Sequence, residues 1–470
     1  MYVYPVILCG GNGERLWPIS KNNHPKPFIK INNDETLLNN TIKRYNSGNN
    51  HTLILSNQNL KSNILSQMIE KNVNNFEIIY EPSQKNTAPC IYAAAMHIAK
   101  KNPEGLMLIM PSDHLITDEN EFNDAVNTAA KFIDKYDAIS FGCSPKSAHT
   151  GYGYIKYKEN SEFIKNVAKF IEKPNQNTAE IFIKDGNYLW NLGIFLFKAT
   201  KLIELANSLD KENYSYVAQC YEQAEVKNSE IYLNSNNWNK INSISIDYSI
   251  MEKNINSGVV IYNYDWSDLG TFDSIKSLLE KDELNNAKIG ETTLLNCSNS
   301  FVWVNDDTKI IAAIGLRNIT AIASENEILI ADNTELANIK TLVSLLGSSR
   351  KLKHDKSSKT ITPWGWFMTL NMNENFHIKL LHVRPDSSLS LQSHVYRNEH
   401  WYVLKGIATI QHELETYELY ENQSTYIKQG QRHRISNLDS NNYLQIIEIQ
   451  TGTSFAEDDI TRYEDIYDRV

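Results

Sequence analysis

Three glycines, an arginine and a lysine gather near the N-terminus: Gly10, Gly11, Gly13, Arg15 and Lys26, all within the run from Leu8 to Phe28. An apolar run over residues 2–8 leads into them and reads as a buried strand. The glycines predict a backbone free to take positive φ and to approach a ligand with no Cβ in the way. A loop of this kind turns several N–H groups toward phosphate oxygens. Arg15 adds a planar fork of donors and Lys26 a compact charge. The spacing is not the dinucleotide G-x-G-x-x-G, because Leu16 stands where the third glycine would be. Nor is it a P-loop, since no Gly-Lys-Ser/Thr follows. Farther on, Asp113 follows the apolar run 106–110, a place that suits a magnesium-ligating carboxylate and equally a helix cap. Toward the C-terminus, Gln392 and His394 alternate onto one face of a strand, Glu399 follows, and His433 lies well beyond. A His, a Glu and a distant His on strands of a small barrel can converge on one metal ion.

These residues need a frame. Strand-like runs at 52–56, 76–81, 106–110 and 138–142 alternate with helically spaced stretches at 59–71, 88–101 and 121–136. Alternation of this kind predicts a mostly parallel sheet wrapped by helices, a Rossmann-like α/β domain. In such a sheet the ligand lies beyond the carboxyl ends of the strands. The segment after residue 81 fits, with Asn86 or Thr87 as helix cap and Pro89 in the first turn. Residues 149–155 read as a glycine-bearing turn into a strand. Glu172 and Lys173 end another strand, and Asn191 stands in the apolar run 189–197. From about residue 285 short alternating strands at 294–304, 309–313, 318–323 and 327–331 predict a small β-solenoid. Residues 347–360, rich in Ser and Lys, read as a linker, and 361–470 as a separate strand-rich barrel. The expected divisions are therefore 1–285, 286–346, 347–360 and 361–470.

The chain of 470 residues has room for about two to four domains. Its net charge of −10 argues against a general nucleic-acid surface. The five cysteines, Cys9, Cys90, Cys143, Cys220 and Cys297, are dispersed with no C-x-x-C pair, which predicts reduced thiols and a cytoplasmic location. No leader-like start and no apolar run near the roughly 18 residues of a membrane span is present, so no membrane association is expected.

The motif Gly-Gly-x-Gly-x-Arg-Leu-Trp-Pro, followed by Pro25-Lys26, resembles the sugar nucleotidyltransferases, specifically the mannose-1-phosphate guanylyltransferases. Pro27 stands where that family usually has Gln. The resemblance implies that the loop wraps a nucleoside triphosphate while Arg15 and Lys26 counter its charge. The run Glu81–Pro89 is similar to the family's Glu-Pro-x-x-Arg-Asn-Thr-Ala-Pro, with Lys85 for Arg, which implies that Lys85, Asn86 and Thr87 line the nucleotide pocket. Asp268 lies in a match to Trp-x-Asp-x-Gly, and with Asp113 it is implied to hold Mg2+. Three further segments resemble Gly-Tyr-Gly-Tyr-Ile, Glu-Lys-Pro and Trp-Asn-Ser-Gly, with Leu192 for Ser. They imply that Gly153, Glu172, Lys173 and Asn191 hold the sugar 1-phosphate. Asp247, in another family motif, either bears on the sugar or orients its neighbours.

The C-terminal pattern resembles a cupin: His394, four residues, Glu399, six residues, Gly406, then Gly430-x-x-His433-x-x-x-Asn437. Gln392 in place of a first His is similar to type II phosphomannose isomerases. Asp386 and Lys428 replace an expected Gly and Pro at turns. The resemblance implies that Gln392, His394, Glu399 and His433 hold a divalent metal such as Zn2+, and Arg397 is the candidate for gripping a substrate phosphate. A bifunctional enzyme is implied, joining GTP and mannose 1-phosphate into GDP-mannose and interconverting mannose 6-phosphate with fructose 6-phosphate. Two rival readings stay open, a catalytically silent cupin and a nucleotide-sugar glycosyltransferase. A homo-oligomer is compatible with the sequence.

Overall fold

Runs of Val, Ile, Leu and Met, too apolar to face water on either side, build the central sheet of the first of two compact units. The computed structural model describes residues 2–11, 13–21, 24–31, 35–45, 51–159, 162–349 and 359–467. One unit comprises Met1–Lys61 and Lys71–Glu280, the other Ser62–Glu70 and Lys281–Val470. In the first, the strands are β1 (Val3–Leu8), β2 (Thr52–Asn57), β3 (Phe76–Glu81), β4 (Leu106–Pro111), β5 (Leu115–Ile116), β6 (Ala138–Cys143) and β7 (Tyr154–Lys158). Then follow β8 (Ile164–Ile171), β9 (Tyr188–Lys198), β10 (Glu225–Lys227), β11 (Glu230–Tyr232), β12 (Ser257–Ile261) and β13 (Trp266–Ser267). The main sheet has 11 strands in the order β10-β11-β3-β2-β1-β4-β9-β6-β12-β8-β7. From β11 through β4 every pairing is parallel. The long β9 enters antiparallel between β4 and β6 and also pairs with β7.

Register places the chemistry. Leu8 pairs with both Leu55 and Pro111, so the glycine-rich loop after β1 and the Ser112–Asp113 turn after β4 leave the sheet side by side. Glu81, the last residue of β3, pairs with Asn57 at the same end. Helices α1 (Leu37–Arg44), α2 (Lys61–Glu70), α3 (Thr87–Lys101) and α4 (Glu119–Phe132) connect these strands. The buried alanines 93–95 bring α3 close to Val6, Leu53, Leu55, Ile79, Met107 and Ile109 in one apolar core. Each large aliphatic side chain buried there contributes about 1.5–3 kcal/mol. No helix among the described residues is long and apolar enough to cross a membrane.

In the second unit, Ala287–Ile289, Phe301–Val304 and Ile319–Ala323 stack in parallel, and Thr292–Leu295 stacks on Ile311–Ile314, the pairing of a solenoid. The expected single strand 294–304 is two strands, because the chain turns between them at Asn296 and Asn299, which have φ of 56° and 49°. An asparagine ladder ties the coils: Asn285 Nδ2 donates to Asn299 Oδ1 (2.9 Å), and Asn299 Nδ2 to Asn318 Oδ1 (2.8 Å). A helix not expected from the sequence, Ile339–Ser349, follows. It takes up residues 347–349 of the expected linker, and the strand Lys359–Thr362 takes up its last two. Residues 350–358 of that linker lie outside the described residues.

The cupin barrel is formed by two antiparallel sheets. One carries Phe376–Val383, Arg397–Lys405 and Leu444–Gly452, the other Leu391–His394, Ala408–His412 and His433–Asn437. Trp364, Leu381, Val383, Trp401 and Ile446 from the first meet Ala408, Ile410 and Ile435 from the second in one core. Asp386, where a Gly was expected, has φ 50°, a left-handed conformation that Asp tolerates better than most residues.

Candidate active sites

Lys26 organises the first site. It begins a short 3-10 turn, Lys26–Phe28, is only 5% exposed, and donates to Asp113 Oδ2 (2.9 Å) and to the Asp268 carbonyl. Residues 87 and 242 positions away in the chain thus meet at one ammonium. Burial pushes the Asp113 carboxyl up, but the Lys26 charge and hydrogen bond, with His114 and a backbone N–H, outweigh it and hold the group below its ordinary range. The Asp113 turn is itself anchored, since the buried Arg44 donates to the His114 carbonyl (2.6 Å). Burial also lowers His114 to about 4, leaving a neutral ring whose Nδ1 faces Trp266 Nε1 (3.4 Å). Asp268 accepts on Oδ1 from Tyr152 Oη (2.9 Å) and from the Gly270 N–H (3.0 Å), which leaves its other oxygen for a cation. Asp113 and Asp268 are the carboxylates here that could hold a divalent cation, whose remaining ligands would come from phosphate and water.

Of the three glycines only Gly13 has a positive φ, 61°. A Cβ there would lie 2.6 Å from both Lys26 Cβ and Ser20 Oγ, so this glycine lets the loop close over the lysine. Gly10 and Gly11 serve the other purpose, close approach. A Cβ on Gly11 would meet nothing within 4 Å, and both residues line a cavity of about 300 Å3. The cavity wall continues through Glu81, Gln84, Asn86, Thr87 and Asp113. Asn86 caps α3, its side chain accepting the Thr87 N–H (2.9 Å), and Thr87 Oγ1 accepts the Ile246 N–H (2.9 Å). Lys85 is not among the residues lining the cavity. Arg15 is exposed beside it in sequence, on the 3-10 turn Glu14–Leu16, with its charge felt at His149 and Tyr152.

Gly153, Glu172, Lys173, Asn191 and Asp247 come together. A Cβ on Gly153 would strike Glu172 Oε2 at 2.5 Å and Asn191 Cβ at 3.2 Å. Glu172 pairs with Lys173 Nζ (2.8 Å), and Asn191 Nδ2 donates to Asp247 Oδ1 (3.0 Å). Burial, reinforced by the Glu172 charge, pushes Asp247 up to about 6. Lys173 sits at φ 45°, and Asp247 opens a π-helical turn, Asp247–Met251. Local departures of this kind cluster at functional sites. Tyr152, His114 and Glu81 were not singled out from the sequence. Tyr152 lay inside a recognised motif, and no periodicity marks a tyrosine as the partner of a carboxylate 116 residues away.

In the barrel, ligand atoms of His394, Glu399 and His433 all lie within 4.8 Å of one another, and all three residues are buried. His394 Nε2 is 3.1 Å from Glu399 Oε1 and 3.2 Å from His433 Nε2. His433 Nδ1 lies 2.9 Å from the Gln431 carbonyl, so it carries the proton and Nε2 offers a lone pair. Two imidazoles and a carboxylate so arranged could hold a divalent transition-type ion. Gln392 joins the cluster through Nε2, 3.4 Å from His394 Nε2, while its Oε1 accepts from Ser390. Arg397 is 3% exposed, with Nε 3.2 Å from Glu399 Oε1 and Nη1 bonded to the Ala456 carbonyl and 3.6 Å from Asp459. Buried beside the His394–Glu399–His433 set, the guanidinium engages the Glu399 carboxylate.

Two family models match the chain, "Nucleotidyl transferase" over residues 4–284 and "Mannose-6-phosphate isomerase C-terminal" over residues 349–465. The xanthan biosynthesis protein XanB of Xanthomonas campestris pv. campestris is 33% identical over 469 residues, covering 100% of this chain and 99% of that protein. The alginate biosynthesis protein AlgA of Pseudomonas aeruginosa is 33% identical over 470 residues, 99% of this chain and 97% of its own. A mannose-1-phosphate guanylyltransferase of Salmonella montevideo is 31% identical over 475 residues, 99% of this chain and 100% of that one. Among solved structures, one titled mannose-1-phosphate geranyltransferase, from Thermus thermophilus, superposes with a TM-score of 0.66 at 24% identity, over 74% of this chain and 100% of that one. A mannose-6-phosphate isomerase from Helicobacter pylori gives 0.50 at 24% identity, over 57% and 100%. Both support the fold. With its nucleotidyl transferase domain, its cupin and full-length relatives above 30% identity, the chain belongs to the bifunctional family of mannose-1-phosphate guanylyltransferases that carry a type II mannose-6-phosphate isomerase domain.

Proposed function

We propose that the first unit transfers GMP from GTP to mannose 1-phosphate, giving GDP-mannose and pyrophosphate, and that the barrel interconverts mannose 6-phosphate and fructose 6-phosphate in the cytoplasm. The observation that carries the first half is the buried Lys26 ammonium, tied at once to Asp113 in the cavity wall and to Asp268. An oxygen of the sugar phosphate attacks the α-phosphorus in line, and the bond to pyrophosphate breaks. No protein nucleophile is needed, because the attacking phosphate is already an anion. Arg15 and Lys26 stand against the charge that grows on pyrophosphate, and Lys26 is fixed in advance, so little reorganisation is left for the reaction. A magnesium ion on Asp113 and Asp268 would supply further charge neutralisation. Gly153 leaves room for the sugar, Glu172 and Asn191 accept and donate to its hydroxyls, and Lys173 meets its phosphate.

In the barrel, Gln392, His394, Glu399 and His433 would hold a metal such as Zn2+, which polarises a carbonyl when bound. Gln392 turns its amide nitrogen to the cluster, so its part as a ligand requires rotation of the amide to present Oε1. Arg397 balances the charge of Glu399 from behind. The names of the full-length relatives support mannose 1-phosphate and a guanine nucleotide as the substrate pair. The test is to incubate the purified chain with Mg2+, mannose 1-phosphate and each nucleoside triphosphate in turn, and separately with mannose 6-phosphate and a divalent metal. GDP-mannose in the first set and fructose 6-phosphate in the second are expected. Failure to form a nucleotide sugar with any of the triphosphates would overturn the first half, and an inert barrel loaded with metal would overturn the second.

A further inference from the structure

The barrel encloses its own candidate metal set. His394, Glu399 and His433 are only 1–2% exposed, so a sugar phosphate cannot touch them through the wall as it stands. One short segment closes that end. The strand Leu444–Gly452 belongs to one sheet, while Ile460–Glu464 pairs with Leu391–His394 in the other and sets Ile460 opposite His394. Residues 453–459 therefore cross from sheet to sheet at the ligand-bearing end. Both ends of the crossing are pinned to the turn ahead of Arg397. The Thr453 N–H donates to the Tyr396 carbonyl (3.0 Å). A Cβ on Gly452 would stand 2.7 Å from Arg397 Cα, so a glycine is what lets the chain pass there. At the far end the buried Asp459 accepts the N–H groups of Val395 (2.9 Å) and Tyr396 (3.2 Å).

Between the pins, residues 454–456 have no regular structure, and Ala456, Glu457 and Asp458 are exposed. Two contacts hold this stretch to the barrel interior. Arg397 Nη1 donates to the Ala456 carbonyl (3.2 Å), and the Phe455 ring meets His377 edge-on, with centroids 6.1 Å apart. His377 stands opposite Gln450, whose Nε2 donates to Glu399 Oε1 (3.0 Å), which puts Phe455 near the rim of the metal set. Beside the stretch lies a cavity of about 470 Å3, lined by Tyr396, Thr453, Ser454, Asp458 and Asp459 and by none of the metal set. We propose that residues 454–458 form a strap that swings out between its pins at Gly452 and Asp459, admits the open-chain sugar phosphate and closes over it. The inference rests on the reading of the barrel as the isomerase site. A segment held by so few contacts opens locally while the sheets behind it stay folded. Once closed, it keeps bulk water from the reacting sugar.

The test needs neither metal nor turnover. The full chain in EDTA is treated with diethyl pyrocarbonate, which acylates neutral imidazoles, and each histidine is followed by mass spectrometry of its peptide. In wild type His394 and His433 should react slowly, at a rate set by strap opening. His382, packed on Trp366 and Tyr443 away from these contacts, serves as the reference. Phe455→Ala removes the ring contact, so the open population and the rates at His394 and His433 should rise about three- to tenfold. The rate at His382 and the thermal unfolding curve should not move. A rise at all three histidines would mean a loosened barrel and overturns the strap. Unchanged rates at His394 and His433 in Phe455→Ala overturn it too, as does a wild type in which both react as fast as His382. If an active isomerase shows ungated histidines, the strap fails and the isomerase reading stands. Gated histidines in a metal-loaded chain that leaves mannose 6-phosphate untouched support the strap and refute the isomerase reading instead.

Discussion

Replacing Gly13 and Gly11 by alanine, one at a time, separates a glycine required by the fold from one required by the ligand. At Gly13 the backbone has φ 61°, and an alanine held there costs about 1–2 kcal/mol. Its Cβ would lie 2.6 Å from Lys26 Cβ and Ser20 Oγ, roughly 1 Å inside normal carbon contact. Relieving such overpacking costs about 1–3 kcal/mol more. The sum, about 2–5 kcal/mol, corresponds to a fall of roughly 4–10 °C in the melting temperature of a domain this size. Because the clash falls on Lys26, the ammonium is also displaced from Asp113, and kcat for guanylyl transfer should drop as well. At Gly11 a Cβ meets nothing within 4 Å and φ is not in the left-handed region, so stability should change by about 0.5 kcal/mol or less. Its Cβ points into space lining the cavity, and the effect should appear in KM for GTP. Thermal unfolding followed by circular dichroism, with steady-state kinetics on the same preparations, reads both. A Gly11→Ala protein as destabilised as Gly13→Ala, or one with unchanged KM, would refute the division of roles.

Lys26→Met should lower guanylyl transfer by about 100-fold or more, and a pH–rate profile should show its acid limb moved to higher pH, because burial then acts on Asp113 without the ammonium that opposes it. Asp247, pushed up to about 6, binds its proton more tightly folded than unfolded. The wild type should therefore lose stability relative to Asp247→Asn as pH rises from about 4 to about 6, read by urea unfolding of both proteins across that range. His394→Ala should lose bound metal, measured by elemental analysis, and with it the isomerase, while guanylyl transfer persists. Asp113→Ala should show the reverse pattern.

The parallel half of the main sheet was legible because each strand is a short apolar run followed by a polar segment that carries its motif. Expected and observed bounds for β1–β4 agree to within one residue at either end. The antiparallel course of β9 was not legible, since an apolar strand buried on both faces has no direction written in it. The split of 294–304 depended on two asparagines taking positive φ, a local choice that alternation alone does not reveal. Ile339–Ser349 was partly masked by the Ser and Lys composition that begins at its C-terminal end. In the candidate sites, sequence order supplied Lys26, Asp113 and Asp268 as separate motifs, and the single lysine joining them appears only in three dimensions. Arg397 was chosen for its closeness in sequence to the ligand set, and burial shows it holding Glu399. Glu81 stood in plain view at the end of a strand, but an acidic residue there reads as solvent-exposed until the cavity is seen.

Direct attack by the sugar phosphate on GTP is the central claim. It is tested most directly by 31P NMR of the full chain with Mg2+, GTP and mannose 1-phosphate carrying 18O in the bond between C1 and phosphorus. The account predicts equal amounts of pyrophosphate and GDP-mannose, with the 18O label retained between C1 and the β-phosphorus. Free GDP with inorganic phosphate, or loss of the label from the product, would contradict it.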